Sequence, residues 1–321
     1  MMLRPLPNES DRPTRRDFLK TTLAGAGAAA AATAGLPAAL PAAGPVERTG
    51  KPYMKLSLAG YSFNRDLAKN WSQGSPPADK MTLDDFIRYC AELDLDGCEP
   101  TGYYFPNDAD AAYLNHLKQL AFRLGLDISG TAIGNDFCQT DEAQLQQQID
   151  STKMWIDRAA LLGAPVIRIF SGNAKRGQTE EEAFRMAVRG IDQALEYAAQ
   201  KGVFLALENH GGLTATADGM LKLIQAVQPS PWFGVNFDSG NFHENEPYSE
   251  LEKIAPYTIN AQVKAAVSHA GKRQEADLER IVKILKDAGY RGYLVLEYEE
   301  REDPKRAIPR YIGELRKLVR A

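Results

Sequence analysis

Cysteine and histidine are scarce in this chain, with three of one and four of the other in 321 residues. Cys90, Cys98 and Cys138 show no zinc-ligand spacing, which excludes a structural zinc module. Their odd number leaves at least one thiol free, and the expectation is buried, inert thiols. Excess positive charge is also lacking. The formal net charge is −4. Residues 1–43 carry five basic side chains (Arg4, Arg12, Arg15, Arg16, Lys20) and three acidic ones (Glu9, Asp11, Asp17). The remainder then holds 33 basic and 39 acidic residues, a net charge of −6 without a basic patch. That balance argues against nucleic-acid binding. No glycine-rich dinucleotide fingerprint follows the first apolar run, so an open, doubly wound nucleotide-binding sheet is disfavoured. There is no linker after Gly50 and no low-complexity segment.

What is present begins with Thr14-Arg15-Arg16-Asp17-Phe18-Leu19-Lys20, followed by an Ala- and Gly-rich stretch from Thr21 to Leu36. This pattern reads as a twin-arginine export signal over residues 1–43, with cleavage after Ala32-Thr33-Ala34 or Ala42-Ala43-Gly44. The apolar stretch is too short and too alanine-rich for a membrane span, and no cysteine beside it could carry a lipid. The expectation is export to the periplasm or medium, with no stable membrane anchor and the twin-arginine machinery as partner. That route carries folded proteins, so a metal could be loaded before export.

Residues 51–321 alternate apolar strand runs with amphipathic helices, and their length suits one barrel. Strands are expected at Met54–Ala59, Gly97–Glu99, Asp127–Ile133, Pro165–Phe170, Val203–Glu208, Phe233–Asp238, Thr258–Gln262 and Gly292–Glu297. Helices are expected near 82–93, 111–124, 142–162, 180–200, 217–227, 248–255, 275–288 and 304–319. Glycines at the joints (Gly97, Gly125, Gly163, Gly202, Gly289) would end helices in the left-handed conformation. Eight such units define an α/β fold, a single (β/α)8 TIM barrel. The polar loop 64–80 is expected as a lid or mouth wall.

The last four strand runs end on Glu208, Asp238, Gln262 and Glu297, spaced by 30, 24 and 35 residues. Carboxyl ends of parallel barrel strands open into one mouth. Three carboxylates and an amide gathered there would repel unless a divalent cation neutralised them. The bland alternative is that Glu208 and Glu297 form structural ion pairs with Lys264 or Arg168. Asp238 could instead cap the following segment, and Gln262 could be a wall residue without a metal contact.

In Leu207-Glu208-Asn209, Asn236-Phe237-Asp238-Ser239-Gly240-Asn241, Gln262-Val263-Lys264 and Leu296-Glu297, the chain resembles the xylose isomerase-like, or sugar phosphate isomerase/epimerase, superfamily. The resemblance covers residues 54–320. It implies one divalent ion, usually manganese (magnesium, cobalt and zinc being alternatives), held by Glu208, Asp238, Gln262 and Glu297. Gln262 stands where the family usually has histidine. An amide oxygen can ligate a hard cation, but its affinity for softer metals should fall.

The function expected is that of a metal-dependent isomerase or epimerase on a sugar or keto-sugar. Glu208 or Glu297 would remove the proton beside a carbonyl, and Lys264 would help hold the enediolate. His210 is a candidate proton shuttle. Arg168, Asn209, Asn241, His243 and Glu99 are candidates for binding substrate hydroxyls. Tyr61, Phe63, Trp71, Tyr103 and Tyr104 could present rings to a sugar face. His116 and His269 read as surface residues. The same intermediate would serve a lyase or hydratase acting on 3-keto-glycosides. A non-catalytic sugar-binding barrel with a degraded metal site is the alternative from another class. A DNA-repair endonuclease of the related barrel type would need more histidine and less acidic charge. Oligomeric state is left open.

Overall fold

The computed structural model describes residues 44–243 and 246–321. The export leader expected over residues 1–43 lies outside the described residues.

Among the described residues nine strands form one parallel sheet. In chain order they are β1 (Tyr53–Ala59), β2 (Gly97–Glu99), β3 (Asp127–Ile128), β4 (Thr131–Ala132), β5 (Val166–Ile169), β6 (Phe204–Glu208), β7 (Phe233–Asp238), β8 (Thr258–Lys264) and β11 (Arg291–Glu297). Their spatial order is β3-β2-β1-β11-β8-β7-β6-β5-β4. The two ends of that order, β3 and β4, are consecutive pieces of one segment, so the sheet curls into a nearly closed barrel. The single third strand expected over 127–133 is broken at Ser129-Gly130. A Cβ on Gly130 would stand 2.9 Å from Val166 Cγ1, so only glycine lets the chain pass this close to β5.

Eight helices follow the strands among the described residues: α1 (Leu83–Glu92), α2 (Ala111–Arg123), α3 (Glu142–Leu162), α4 (Glu180–Lys201), α5 (Ala217–Ala226), α6 (Pro247–Ile254), α7 (Leu278–Asp287) and α8 (Pro304–Arg320). Their starts are chemically marked. Thr82 with Asp85, and Thr179 with Glu182, form reciprocal capping boxes that satisfy otherwise unpaired N–H groups. Gly125, Gly163, Gly202 and Gly289 take positive φ as expected. Gly97 does not. It lies within β2, and Asp94, with φ 51°, makes the left-handed turn there.

Alternation along the strands divides two environments. Leu205, Leu207, Val235, Phe237, Ala261, Val263, Leu294 and Leu296 belong to one continuous buried apolar core. The residues that alternate with them on the same strands include seven buried polar ones, Glu208, Asn236, Asp238, Asn260, Gln262, Lys264 and Glu297, besides Ala206 and Val295. All three cysteines are free and buried, and burial raises their thiol pKa values. Among the described residues no helix is long and apolar enough to cross a membrane.

One element was not expected. Between β8 and α7 a hairpin intervenes, made by β9 (Ala266–His269) and antiparallel β10 (Lys272–Glu275). Ala270 and Gly271 both have positive φ, the geometry a two-residue hairpin turn needs. Helix α7 therefore starts at Leu278, capped by Asp277, rather than near Glu275.

Candidate active site

The parallel register sets the level of every side chain at the mouth. Glu208 is opposite Asn236, Asp238 is opposite Gln262, and Glu297 is opposite Lys264. Strand ends that are far apart in sequence thus deliver their acids and bases to one place. Above them lies a cavity of about 380 Å³, lined by Tyr61, Tyr103, Arg168, Phe170, Glu208, His210, Lys264, Glu297 and Glu299. That size suits a small, compact molecule.

Two buried ion-pair systems form its floor. Arg168 Nε is 2.8 Å from Glu208 Oε2, with both side chains almost wholly buried. Asn241 donates to Glu208 Oε1 at 2.9 Å, and Asn236 to Oε2 at 3.2 Å. The Arg168 guanidinium also lies over the Phe170 ring, 4.0 Å from its centroid. Phe170 in turn packs on His210, with ring centroids 4.3 Å apart. The second system is centred on Lys264. Its Nζ is 2.5 Å from Glu297 Oε2, 2.9 Å from Glu299 Oε1 and 3.3 Å from Asp238 Oδ2. An ammonium has three donors, and here it meets three carboxylates.

Beneath the floor runs a layer of amides. Gln262 donates to Glu99 Oε1 at 2.6 Å and accepts from Asn236 at 2.7 Å. Asn260 donates to Glu99 Oε2 and to Asn236 Oδ1. Glu99 is fully buried, and burial, with Glu297 nearby, pushes its pKa up to about 7 despite Arg168, Gln262 and Asn260. Burial also raises Glu208 and Asp238, against the pull of Arg168 on one and Lys264 on the other. Burial alone would lower Lys264 and Arg168. The surrounding carboxylates outweigh it and hold both above their ordinary values. His210 is lowered by burial and by the two cations.

The expected residues therefore separate into groups. Glu208, Glu297, Lys264, His210 and Arg168 face the cavity. Asn209 does not serve it. Its amide is spent on the Asp238 backbone, donating to the carbonyl and accepting from the N–H, both at 2.9 Å. Asn241 orients Glu208. Glu99 is committed to the amide layer, and His243 is exposed on the loop after β7. Of the aromatic cluster, Tyr61 and Tyr103 line the cavity, while Phe63, Trp71 and Tyr104 are buried in packing. The 64–80 loop supplies Asn64, Arg65, Asp66 and Asp79 to the wall of a second, neighbouring cavity of about 660 Å³. His116 is exposed and pairs with Asp84, and His269 is exposed at the end of β9. Glu299 and Asn236 were missed. Glu299 follows Glu297 at the alternation period, and Asn236 precedes Asp238 by the same two residues, so both signals were available.

The four residues expected to hold a metal do not fit that task as placed. Gln262 accepts from Asn236 through its carbonyl oxygen and donates to Glu99 through its N–H₂, which turns the amide into that layer. Glu208 is paired with Arg168 and accepts from Asn236 and Asn241. Asp238 Oδ2 is buried without a hydrogen bond, but the cation it faces is the Lys264 ammonium. Among the described residues, no three Asp, Glu, His or Cys side chains are arranged to hold a metal ion. The geometry realises the ion-pair alternative: Glu208 with Arg168, and Glu297 with Lys264.

A parallel barrel with buried acid–base pairs at the carboxyl ends of its strands belongs to the broad class of barrels that carry their active sites at that face. Within that class the chain belongs to the xylose isomerase-like TIM barrel family, whose model matches residues 87–318. It is 26% identical over 240 residues to an inosose dehydratase of Erwinia tasmaniensis, covering 61% of this chain and 78% of that one. Its fold is similar to D-psicose 3-epimerase from Clostridium cellulolyticum H10, with a TM-score of 0.66, 15% identity and coverage of 83% of this chain and 99% of the other. It is also similar to 3-keto-D-glucoside 4-epimerase from E. coli, with a TM-score of 0.64, 16% identity and coverage of 82% and 99%.

Proposed function

We propose that this protein is an enzyme that abstracts the proton beside a carbonyl of a sugar or keto-sugar, as an isomerase, an epimerase or a related lyase. One observation carries the reading: two carboxylates, Glu208 and Glu297, face the same small cavity, each backed by a buried cation. A carboxylate removes the proton, and the electron pair moves onto the carbonyl oxygen to give an enediolate. Arg168 and Lys264 place fixed positive charge where that negative charge develops. Return of the proton to the same carbon from the other face is epimerisation. Return to the neighbouring carbon is aldose–ketose isomerisation, and loss of a β-leaving group is elimination. Tyr61 and Tyr103, edge to face with ring centroids 6.1 Å apart, supply apolar surface for a sugar ring. The names of the relatives, two sugar epimerases and an inosose dehydratase, fall within this same group of reactions.

The experiment is a panel of keto-sugars and glycosides incubated in deuterium oxide, with and without manganese, and read by NMR for exchange at carbon. Exchange beside the carbonyl of any member supports the reading. Saturable binding of sugars without exchange would instead support a sugar-binding barrel.

We also propose that residues 1–43 direct twin-arginine export. The support is the run Thr14-Arg15-Arg16-Asp17-Phe18-Leu19-Lys20. Replacing Arg15 and Arg16 together by lysine is expected to hold the protein in the cytoplasm. Cell fractionation checks this, and a normal periplasmic level of the double variant would refute it.

A further inference from the structure

The site presents a puzzle of charge. Asp238, Glu297 and Glu299 meet at one point, and two of them are almost wholly buried. Unpaired anions cannot be held so close without a cation. The cation at that point belongs to the chain itself.

We infer that the Lys264 ammonium occupies the place of a divalent cation in this barrel, so that the protein binds no metal at its mouth and uses Lys264 as its electrophile.

Several independent features build the lysine into that position. The register of β8 against β11 sets Lys264 opposite Glu297, and its backbone N–H donates to Ser239 Oγ at 2.8 Å. Gly240 gives the stem room. A Cβ there would stand 2.8 Å from Lys264 Cγ and 2.9 Å from the Ala266 carbonyl oxygen. Asp238 is itself fixed from two sides, by Gly240 N–H to Oδ1 at 2.8 Å and by Asn209 on its backbone. Two residues earlier on β8, Gln262 is turned away from the carboxylates into the Glu99–Asn236–Asn260 layer. The residue that would complete a cation cage thus points elsewhere, and the ammonium fills the space that the remaining acids enclose.

The arrangement also says how substrate reaches the charge. Asp238 and Glu297 are buried partners, whereas Glu299 has a side chain 31% exposed at the rim. Glu299 is the partner that can swing out. A substrate carbonyl oxygen can then take its place on Lys264, with Glu297 left beside the neighbouring carbon. This half of the inference rests on the deprotonation reading above, and the cation-binding half does not.

The test is manganese binding by the full chain after dialysis against EDTA, by calorimetry and by the electron paramagnetic resonance of free manganese. The native protein is expected to show no saturable binding. Lys264→Ala, which removes the ammonium and lets Asp238, Glu297 and Glu299 close on the vacated space, is expected to bind one ion with affinity at least ~10-fold higher than native. Should that variant be unfolded alone, manganese is expected to restore its helical circular dichroism. One equivalent of tightly bound manganese in the native protein overturns the inference. So does a Lys264→Ala protein that neither binds manganese nor folds with it. None of these readouts needs a substrate. Failure of the keto-sugar panel therefore counts against the proposed reaction, whereas tight manganese binding by the native protein counts against Lys264 as the cation.

Discussion

Glu297→Gln is expected to lower the rate of deuterium exchange into a bound keto-sugar by ~10²–10⁴-fold, the usual worth of a positioned acid or base. The amide keeps the volume and an oxygen toward Lys264, so the cavity should still bind sugar. What it loses is the ability to accept a proton. The comparison variant is Glu299→Gln, since Glu299 shares the same ammonium at 2.9 Å but sits at the exposed rim. It should alter KM more than kcat, because its proposed part is to yield its place to substrate. Added manganese should not restore the Glu297→Gln enzyme. Equal losses of kcat in both variants would show that Glu297 only positions Lys264 and that the base lies elsewhere. Glu208 and His210 would then be the remaining candidates facing the cavity.

Arg168→Met is expected to cost ~3–5 kcal/mol of folding stability, read by urea unfolding, because it strands the Glu208 carboxylate in the barrel interior. Both partners are about as buried as charged groups become, with side-chain exposures of 4% and 3%, so solvent cannot take over the lost interaction. Asn236 and Asn241 still donate to Glu208, but two neutral amides do not replace a guanidinium. The Phe170 ring also loses the plane stacked on it. Arg168→Met combined with Glu208→Leu should recover much of the loss, since replacing both partners of a buried pair removes the stranded charge. If the single variant were as stable as the native protein, the pair would not be the structural anchor of this wall.

These two expectations concern charges whose positions the sequence marked and whose partners it did not. Strand ends at Glu208 and Glu297 were legible because each closes a run of apolar residues, where a polar residue is costly without a purpose, and Asp238 because it ends a strand-like run in the same series. Caps at Thr82 and Thr179 are local signals, because a hydroxyl three residues before an acid has a self-contained geometry. Alternation even foretold that Lys264 shares a face with Gln262.

Local pattern could not settle which way a buried amide turns or which acid a buried cation chooses. Gln262 reads as a donor toward the mouth until Glu99, 163 residues away, is found beneath it. The close approach at Gly130, where the third strand breaks, is likewise made to Val166 on a neighbouring strand. The β9–β10 hairpin was missed because β10 is exposed and polar throughout and only the first two residues of β9 are buried, so burial leaves no period of two in either. By itself, then, the sequence determined the barrel, its strand ends and, Glu299 apart, the acids and bases at its mouth, since hydrophobic period and capping are properties of short segments. Only the tertiary structure decided that Arg168 pairs with Glu208 and that Lys264 stands among Asp238, Glu297 and Glu299. Those pairings depend on register between strands distant in the chain, where a shift of one residue would turn each side chain to the opposite face.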